Sequence, residues 1–226
     1  SSLDSFGNLE CSPPIVHSVK GKTYPFGRIV FGEHAGHPTR QVQPEVREFL
    51  RAQTVQDPFA INTGWLQVGH VDEVASFCQM KNAPKGFKVV MASPDRAMTI
   101  LRSLQGSGKG ASKLFAKSNV VPTGVQYGPG FSEADRRVKY PHETVNAILG
   151  NAAFVQMQTD SQNLIDGIVV TLSTELDLNP SDFIHIPILF EQDAASGLFI
   201  AYNPGSVNML HLTKADRTAR VCVPRP

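Results

Sequence analysis

Cysteine is scarce in this chain, and its scarcity argues against two classes of protein. The 226 residues contain three cysteines, Cys11, Cys78 and Cys222. An odd and widely spaced set does not fit a disulfide framework, and buried, reduced thiols are the simplest interpretation. No two of them have a metal-ligand spacing such as C-x-x-C, so the pattern does not indicate a zinc site.

Excess charge of one sign and long apolar runs are also missing. The formal net charge is +1 at pH 7, from 21 Lys and Arg against 20 Asp and Glu. We therefore expect no global attraction to nucleic acid or to a membrane surface. No run of about 18 apolar residues occurs, so no transmembrane helix is expected. Hydrophobic residues make up 41% of the chain and charged residues 18%, which is typical of a globular protein of one or two domains.

The apolar patterns predict strands that alternate with helices. Strands are predicted at 27–32, 59–66, 86–92, 183–189, 198–202, 209–212 and 220–223, and helices at 44–52, 94 to about 104, and about 143 to 176. Gly150 and Gly167 are candidate interruptions of the last helix. Because several strands have hairpin-like spacing, the predicted class is α+β, in ββαβ-like units rather than a doubly wound sheet. Residues 106–140, rich in Gly, Ser and charge, are predicted to be an exposed insertion.

The most informative motif is WLQVGHVDE, which covers 65–73. It places an imidazole and a carboxylate two residues apart, after a β-like segment. In an extended chain such residues point to the same side, so we predict that His70 and Asp72 face one pocket, with Val68 beside them and Val71 opposite. A His near an Asp can transfer protons and hold a cationic ligand. The alternative is a buried polar contact with no catalytic role.

A short pattern recurs three times along the chain. Glycine, any residue, an aliphatic residue and Asp, Glu or Asn occur in that order at 7–10, 69–72 and 205–208. Four residues at unequal spacings are weak support for a repeat. Repeated supersecondary units would, however, bring polar residues at equivalent positions toward one central site.

Six stretches of the chain resemble the catalytic domain of protein-arginine deiminases. They are LDSFGNLECSPP, GKTYPFGRIVFG, WLQVGHVDE, GFKVVMASP, LDLNPSDFIHIPILF and NPGSVNML. They keep the family's order and extend over nearly the whole chain. The resemblance implies a pentein fold, a five-bladed β/α propeller of ββαβ modules, with which the weak repeat agrees. It also implies hydrolysis of peptidyl-arginine to citrulline and ammonia.

The chemistry of that family explains the types of residue it uses. A Cys thiolate attacks the guanidinium carbon, and water hydrolyses the covalent intermediate. A His protonates the departing amine and then helps to activate water, while two Asp carboxylates clamp the guanidinium nitrogens. A guanidinium stays protonated, so carboxylates that accept paired hydrogen bonds suit it. The attacking thiol must be activated to a thiolate.

The resemblance assigns roles to individual residues of the central motif. His70 matches the general acid/base, and Asp72 matches one guanidinium-binding carboxylate. Val68 matches a position that lines the substrate cleft, and Trp65 is a cleft-wall or core residue. Asn208 falls near the site by the same motif matching, as a hydrogen-bonding residue.

The resemblance also implies calcium, which the vertebrate enzymes of the family need. The stretch from Phe6 to Glu10 matches a calcium-binding segment. Phe6 and Leu9 would supply backbone carbonyls and Glu10 a carboxylate, which are hard oxygen ligands of the type that calcium prefers.

Two parts of the family pattern have no counterpart in these 226 residues. They are the nucleophilic Cys, with its Cys-Gly-Thr-Asn motif, and the second Asp; none of the three cysteines has that context. The chain would supply about three of the five blades, counting each ββαβ unit as one repeat.

Two hypotheses follow from these departures. The first is part of a deiminase that acts on arginine-containing proteins or peptides, with a second chain or a missing segment completing the propeller. The second is a truncated, non-catalytic pentein module that binds arginine peptides or a protein partner. Neither needs a nucleic-acid or membrane partner. A hydrolase of free arginine or methylarginine shares the chemistry, but the stretches DSFGNLE and WLQVGHVDE fit the protein-directed family better. The family resemblance favours a cytoplasmic or nuclear compartment and leaves secretion open.

Overall fold

A computed structural model of the chain describes residues 2–34, 36–114, 143–203, 205–213 and 219–222. The strands of this part are β1 (Leu9–Cys11), β2 (Ile15–His17), β3 (Lys22–Tyr24), β4 (Ile29–Glu33), β5 (Phe59–Asn62), β6 (Ala75–Gln79), β7 (Phe87–Ser93), β8 (Phe183–Pro187), β9 (Phe190–Gln192), β10 (Phe199–Ala201), β11 (Leu210–Thr213) and β12 (Ala219–Cys222). The α-helices are α1 (Pro44–Ala52), α2 (Pro94–Leu104), α3 (Val145–Gly150) and α4 (Ala152–Leu176). Short 3-10 turns and a π turn at Gln105–Lys109 connect them.

Two three-stranded sheets share one arrangement. In the first, β1 is antiparallel to β4, helix α1 follows β4, and β5 is parallel to β4. In the second, β6 is antiparallel to β7, and β8, which follows the later helices, is parallel to β7. Both sheets therefore combine an antiparallel pair, a helical connection and a parallel strand. The predicted α+β class is confirmed.

Three two-stranded sheets complete the strand pairing of the described residues. Strands β2 and β3 form a hairpin that lies between β1 and β4 in the chain, β9 pairs with β10, and β11 pairs with β12. All three pairs are antiparallel. The β2–β3 hairpin also contacts the C-terminal end of α4, where Ser18 donates to Asp177 through its backbone N–H at 3.0 Å and its hydroxyl at 2.7 Å.

The predicted helices are present, but the longest of them is divided. Helix α1 has the predicted bounds, with Pro44 in its first turn. Ser93 caps α2, since its hydroxyl accepts the N–H of Arg96 at 3.1 Å. The long predicted helix is two helices, because Asn151 is extended between them and its side chain accepts the N–H of Phe154 at 3.1 Å. The predicted interruption at Gly167 is wrong, since α4 continues through it.

The main hydrophobic core lies against one face of α4. Ile165, Ile168, Leu172 and Leu176 are buried there, and Leu164 and Val169 pack partly buried beside them. This stripe has the spacing that the sequence predicts for an amphipathic helix. A second, smaller core lies between α1 and the first sheet and contains Leu3, Phe31, Val42 and Leu50.

The chain divides into two compact units. One is formed by Ser1–Ala97 and Met157–Pro226, and the other by Met98–Gln156. In the second unit, Thr144 caps α3 by accepting the N–H of Ala147 at 3.2 Å. Residues 115–140 of the predicted insertion at 106–140 lie outside the described residues. That 1–226 belong to a single catalytic domain stays a prediction.

The described residues contain no candidate membrane-spanning helix. In the ranges given above, no helix is both long and apolar enough to span a bilayer.

Candidate active site

The segment between β5 and β6 turns where an extended chain is predicted. Strand β5 ends at Asn62 rather than at residue 66, because the chain enters a turn at Thr63. His70 is extended, with φ −88° and ψ 152°, but Val71–Glu73 forms a 3-10 helix. The prediction that His70 and Asp72 share one side of an extended segment is therefore wrong in its geometry.

The carboxylate of Glu73 causes this turn. It accepts the backbone N–H groups of Gly69 at 3.0 Å and His70 at 2.9 Å, which caps the short helix. Gly69 has φ +86°, a left-handed conformation that favours glycine. Val71 is fully buried and anchors the turn in the main core. The turn thus holds the backbone of His70 from one side.

His70 and Asp72 nevertheless lie against the same neighbour, Gly7. A methyl group built on Gly7 would stand 2.6 Å from Nδ1 of His70 and 3.1 Å from Oδ2 of Asp72. Real Cβ atoms essentially never approach other atoms as closely as the first of these distances. Ser5 lies at the other ring nitrogen, with its Oγ 2.9 Å from Nε2 of His70. The chain before β1 therefore covers the imidazole, and glycine is required for this close approach.

The side chain of Asn8 fixes that covering segment. Asn8 is fully buried, and its amide donates to the carbonyls of Leu3 and Gly32, both at 2.8 Å. Its carbonyl oxygen accepts the N–H of Gly32 at 2.9 Å. The two bonds to Gly32 tie the start of β1 to β4, and the bond to Leu3 holds the N-terminal segment together, which places Ser5 and Gly7 over His70.

Burial dominates the electrostatics of this region. It raises the pKa of Glu10 to about 7, and the nearby charge of Asp72 adds to the rise. Burial also raises the pKa of Asp72, although the charge of His70 opposes that shift. The pKa of Glu73 is raised as well, since burial raises it more than the two backbone hydrogen bonds lower it. A cation entering this region would favour the ionised carboxylates.

Trp65 and Val68 have different environments, although both lie in the central motif. Trp65 is 7% exposed, and its ring packs edge-on against Phe190 and Phe199 at centroid distances of 5.3 and 5.6 Å. Its indole N–H donates to the carbonyl of Asn62 at 3.0 Å. The structure thus places Trp65 in the core. Val68 is 43% exposed and is accessible to a ligand beside His70.

The remaining residues assigned from the resemblance lie in three settings. Phe6 exposes 91% of its surface, and its carbonyl accepts the N–H of Leu9. Leu9 is paired with Phe31 across β1 and β4. Asn208 is exposed and donates its backbone N–H to Gly205 within its own turn at 3.1 Å.

Neither cysteine with a described thiol has the environment of a nucleophile. Cys11 lies within hydrogen-bond distance of Gln56 Nε2 at 2.9 Å, and burial raises its pKa. Cys78 is buried on β6, and burial raises its pKa as well. A raised pKa lowers the thiolate fraction at neutral pH, and the thiolate is the reactive form.

Side chains that bind metals do not form a cluster in the described part of the chain. No three His, Cys, Asp or Glu residues of that part lie close enough together to hold an ion. Any cation near Glu10 would therefore also need backbone, water or other oxygen ligands.

Three residues that build this region were missed from the sequence. Glu73 follows His70 at the capping-box spacing, a signal that could have predicted the 3-10 turn. Ser5 and Asn8 carry no comparable signal, because their partners are distant in the sequence and only the fold brings them together.

Comparison with known proteins identifies the family. The family model described as "Protein-arginine deiminase (PAD)" matches residues 1–226. This chain belongs to the protein-arginine deiminase family. It is 39% identical over 215 residues to protein-arginine deiminase type-3 of Rattus norvegicus, which is 95% of this chain and 29% of that protein.

Other protein-arginine deiminases match to a similar extent. Type-4 of Homo sapiens is 37% identical over 216 residues, and type-1 of Mus musculus is 34% identical over 215 residues. Each alignment covers 95% of this chain and 29% of the relative. The chain thus spans less than a third of the length of these curated relatives.

Proposed function

We propose that this chain supplies part of the catalytic domain of a protein-arginine deiminase, which hydrolyses peptidyl-arginine to citrulline and ammonia. The observation that carries the proposal is the convergence of His70 and Asp72 under Gly7, in a chain that matches the family over its whole length. An imidazole beside a carboxylate is the combination that a guanidinium hydrolase needs, since one group moves protons and the other binds a cation.

Asp72 would bind the guanidinium of the substrate. Burial raises its pKa, so its ionised form is poorly solvated and gains from a cationic partner. A guanidinium offers several N–H donors in one plane and stays protonated at neutral pH. Charge-assisted hydrogen bonds to Asp72 would therefore orient the guanidinium carbon for attack.

His70 would act as general acid and then as general base. It would donate a proton to the departing amine, which leaves as ammonia, and then accept a proton from the water that releases citrulline. The Ser5 hydroxyl, 2.9 Å from Nε2, would orient the ring. Val68, exposed next to His70 in sequence, would line the cleft for the aliphatic part of the arginine side chain.

The nucleophile in this proposal is a Cys thiolate outside the 226 residues. Cys11 and Cys78 have raised pKa values, which disfavour the thiolate that must attack the guanidinium carbon. The second guanidinium-binding Asp is proposed to come from outside the chain as well.

Calcium is proposed to bind at Glu10. The carboxyls of Glu10 and Asp72 lie near enough for the charge of Asp72 to raise the pKa of Glu10, and carboxylate oxygens are hard ligands. The carbonyls of Phe6 and Leu9 are the further ligands proposed, and the Phe6 carbonyl would exchange its bond to the Leu9 N–H for the ion. Bound calcium would supply the positive charge that keeps these carboxyls ionised.

The proposed fold of the whole enzyme is a five-bladed pentein propeller. The two sheets with an antiparallel pair, a helical connection and a parallel strand support ββαβ blades, and the chain as one domain would contribute about three of them. The other blades would come from a segment or a second chain outside these residues.

The decisive test is citrulline formation from an arginine-containing peptide by the native polypeptide that carries this chain, with and without calcium. His70→Ala should lower kcat/KM at least 100-fold, the lower range for general acid–base catalysis. His185→Ala, at an exposed histidine of β8, is the matched control and should leave the rate unchanged.

The alternative function is a non-catalytic module that binds arginine peptides. Measurement of the intact mass of the native protein accompanies the assay. A native mass equal to that of the 226 residues, together with no citrulline at any calcium concentration, would rule out catalysis. Retained binding of the arginine peptide would then support the alternative.

A further inference from the structure

Arg40 lies at the end of a short loop that packs beneath the central motif. The loop follows β4, and its backbone is held by hydrogen bonds from Arg40 N–H to the carbonyl of His37 at 3.0 Å and from His34 N–H to the carbonyl of Arg40 at 2.7 Å. A methyl group built on Gly64 would lie 2.1 Å from Cβ of His34. The loop is therefore packed directly against the chain that leads to His70.

The guanidinium of Arg40 binds backbone carbonyls of that chain. Its Nη2 donates to the carbonyl of Leu66, and the carbonyl of Gln67 lies 3.4 Å from the same nitrogen. Nη2 would also lie 3.1 Å from a methyl group built on Gly69. One cationic group thus binds the carbonyls of Leu66 and Gln67 and lies close to Gly69, in the segment that precedes His70.

These contacts are the principal ones available to the Arg40 side chain. Its Nε is buried without a hydrogen-bond partner. In the part of the chain that the structure describes, no carboxylate forms an ion pair with it. A partly buried guanidinium is costly unless its donors are satisfied, so the carbonyls of Leu66 and Gln67 are the groups that compensate its charge.

Opposite charges therefore hold the two ends of one short segment. Arg40 binds the carbonyls at 66 and 67, while the Glu73 carboxylate binds the N–H groups of Gly69 and His70. The hydroxyl of Thr63 donates to the carbonyl of Gly69 between them. Val68 and His70 have their backbone positions fixed by this clamp.

We infer that Arg40 is a positioning residue, which fixes residues 66–69 and thereby places His70 and Val68. The inference concerns the proposed catalytic site and rests on the proposed function only for its consequence in catalysis. The structural part stands on the contacts of Arg40 alone, so the two parts are tested separately.

Amide hydrogen exchange of the 226-residue chain tests the structural part. In Arg40→Met, the amides of Gly69 and His70 should exchange at least tenfold faster than in wild type, while amides of β7 keep their rates. Arg47→Met is the control, because Arg47 contacts Glu33 and Gln41, each at 3.4 Å, instead of the 66–69 segment. Unchanged exchange at Gly69 and His70 in Arg40→Met would overturn the inference, as would an equal acceleration at β7.

Arg40→Lys serves as the second variant, in case Arg40→Met does not fold. A lysine keeps the charge but carries it as a compact ammonium on a flexible stem instead of a planar guanidinium, so exchange at Gly69 should lie between wild type and Arg40→Met. If Arg40→Lys folds and its Gly69 and His70 amides exchange as in wild type, the guanidinium of Arg40 is not needed to fix residues 66–69, which would contradict the inference.

Kinetics of the native polypeptide test the consequence for catalysis. Arg40→Met should lower kcat at least tenfold with a smaller change in KM, because the displaced group is the acid/base and not the substrate-binding carboxylate. If wild type forms no citrulline, the proposed function fails while the exchange result still decides the role of Arg40. If wild type is active and Arg40→Met keeps its kcat, the catalytic part of the inference is wrong.

Discussion

Gly7 lies directly over the imidazole of His70, so that a methyl group on Gly7 would stand 2.6 Å from Nδ1. No local sequence signal predicts this contact, since 62 residues lie between Gly7 and His70. The contact exists because Asn8 joins the start of β1 to β4. It makes the N-terminal segment one wall of the candidate site.

Gly7→Ala should displace His70. The Gly7 backbone does not have positive φ, so the substitution acts through the added methyl group alone. Overpacking of this kind costs about 1–3 kcal/mol, and the ring of His70 must move to relieve it. Chemical unfolding and the NMR shifts of the His70 ring protons would measure both effects, with a fall of at least tenfold in any citrulline formation.

Gly167→Ala is the matched control for that substitution. Gly167 lies inside α4, and a methyl group there would meet nothing within 4 Å. Alanine in a helix is favoured over glycine by up to about 1 kcal/mol, so this variant should be more stable. Unshifted His70 resonances in Gly7→Ala, matching those of the control, would contradict the close approach.

Glu10→Gln should remove a pH-dependent loss of stability. The folded-state pKa of Glu10, about 7, lies above its ordinary value of 4.5, so the folded protein binds this proton more tightly than the unfolded chain. Wild-type stability should therefore fall as the pH rises from about 4.5 through 7. At about 1.4 kcal/mol per pKa unit, the variant should gain at most about 3 kcal/mol at pH 8 and little at pH 4.

Urea unfolding across that pH range measures the difference. Glu48→Gln, at an exposed position of α1, should show no such gain. Parallel pH profiles for wild type and Glu10→Gln would show that Glu10 is not buried as a protonated acid.

Calcium affinity should rise with pH if the ion binds at Glu10. A carboxyl with a pKa of about 7 is largely protonated at pH 6, and it must lose that proton to bind a cation. Isothermal titration should therefore find tighter binding at pH 8 than at pH 6, by roughly tenfold for release of one proton. Glu10→Gln should abolish both the binding and its pH dependence, and binding that is equal at both pH values would refute the assignment.

The sequence predicts the elements whose signals are local. Helix α1 is predicted with its proline start and apolar face, and the buried stripe of α4 follows from its 3.6-residue period. Strands β1, β2, β3, β6 and β9 escaped prediction, since four of them are only three residues long and have no clear alternation. The turn at Val71–Glu73 overrides the extended pattern because a side-chain cap and a buried valine stabilise it.

The candidate site is less predictable than the elements. The central motif points to His70 and Asp72. Their neighbours Ser5 and Gly7 lie in the N-terminal segment, which is distant in sequence and contacts them only in the folded chain. The role of Arg40 is even harder to predict, because its partners are backbone carbonyls. Every residue has such a carbonyl, and no sequence pattern marks the ones that bind Arg40. The contacts that position a site are thus set by the fold rather than by local sequence.

Arg28→Met should cost far more stability than Lys22→Met, although both cations bind Asp57. Arg28 is 3% exposed, donates to the carbonyl and carboxylate of Glu175 at 2.7 and 2.6 Å, and stacks 4.5 Å from the ring centre of Phe59. Removing one partner of a buried ion pair costs about 3–5 kcal/mol. Lys22 makes an exposed pair with Asp57 at 3.1 Å, whose loss should change stability little. Equal losses in urea unfolding would contradict this ranking.

Asp177 should contribute stability that disappears in acid. It accepts hydrogen bonds from the Ser18 hydroxyl and backbone N–H, which lower its pKa to about 2 from 3.8. A lowered folded-state pKa gives stability that is present above pH 3.8 and is lost as the pH falls toward 2. Asp177→Asn should therefore melt at a lower temperature than wild type at pH 7, and the two should converge near pH 2.

The backbone of Asp177 provides the control for that experiment. Its φ is +55°, a conformation that asparagine tolerates and glycine favours. Asp177→Gly relieves the strain but removes all the side-chain bonds, so it should also lose the pH dependence below pH 4. If Asp177→Gly melts above Asp177→Asn at pH 7, backbone strain outweighs the residual hydrogen bonds of asparagine. If wild type still melts above both at pH 2, the contact between the β2–β3 hairpin and α4 does not depend on the charge of Asp177.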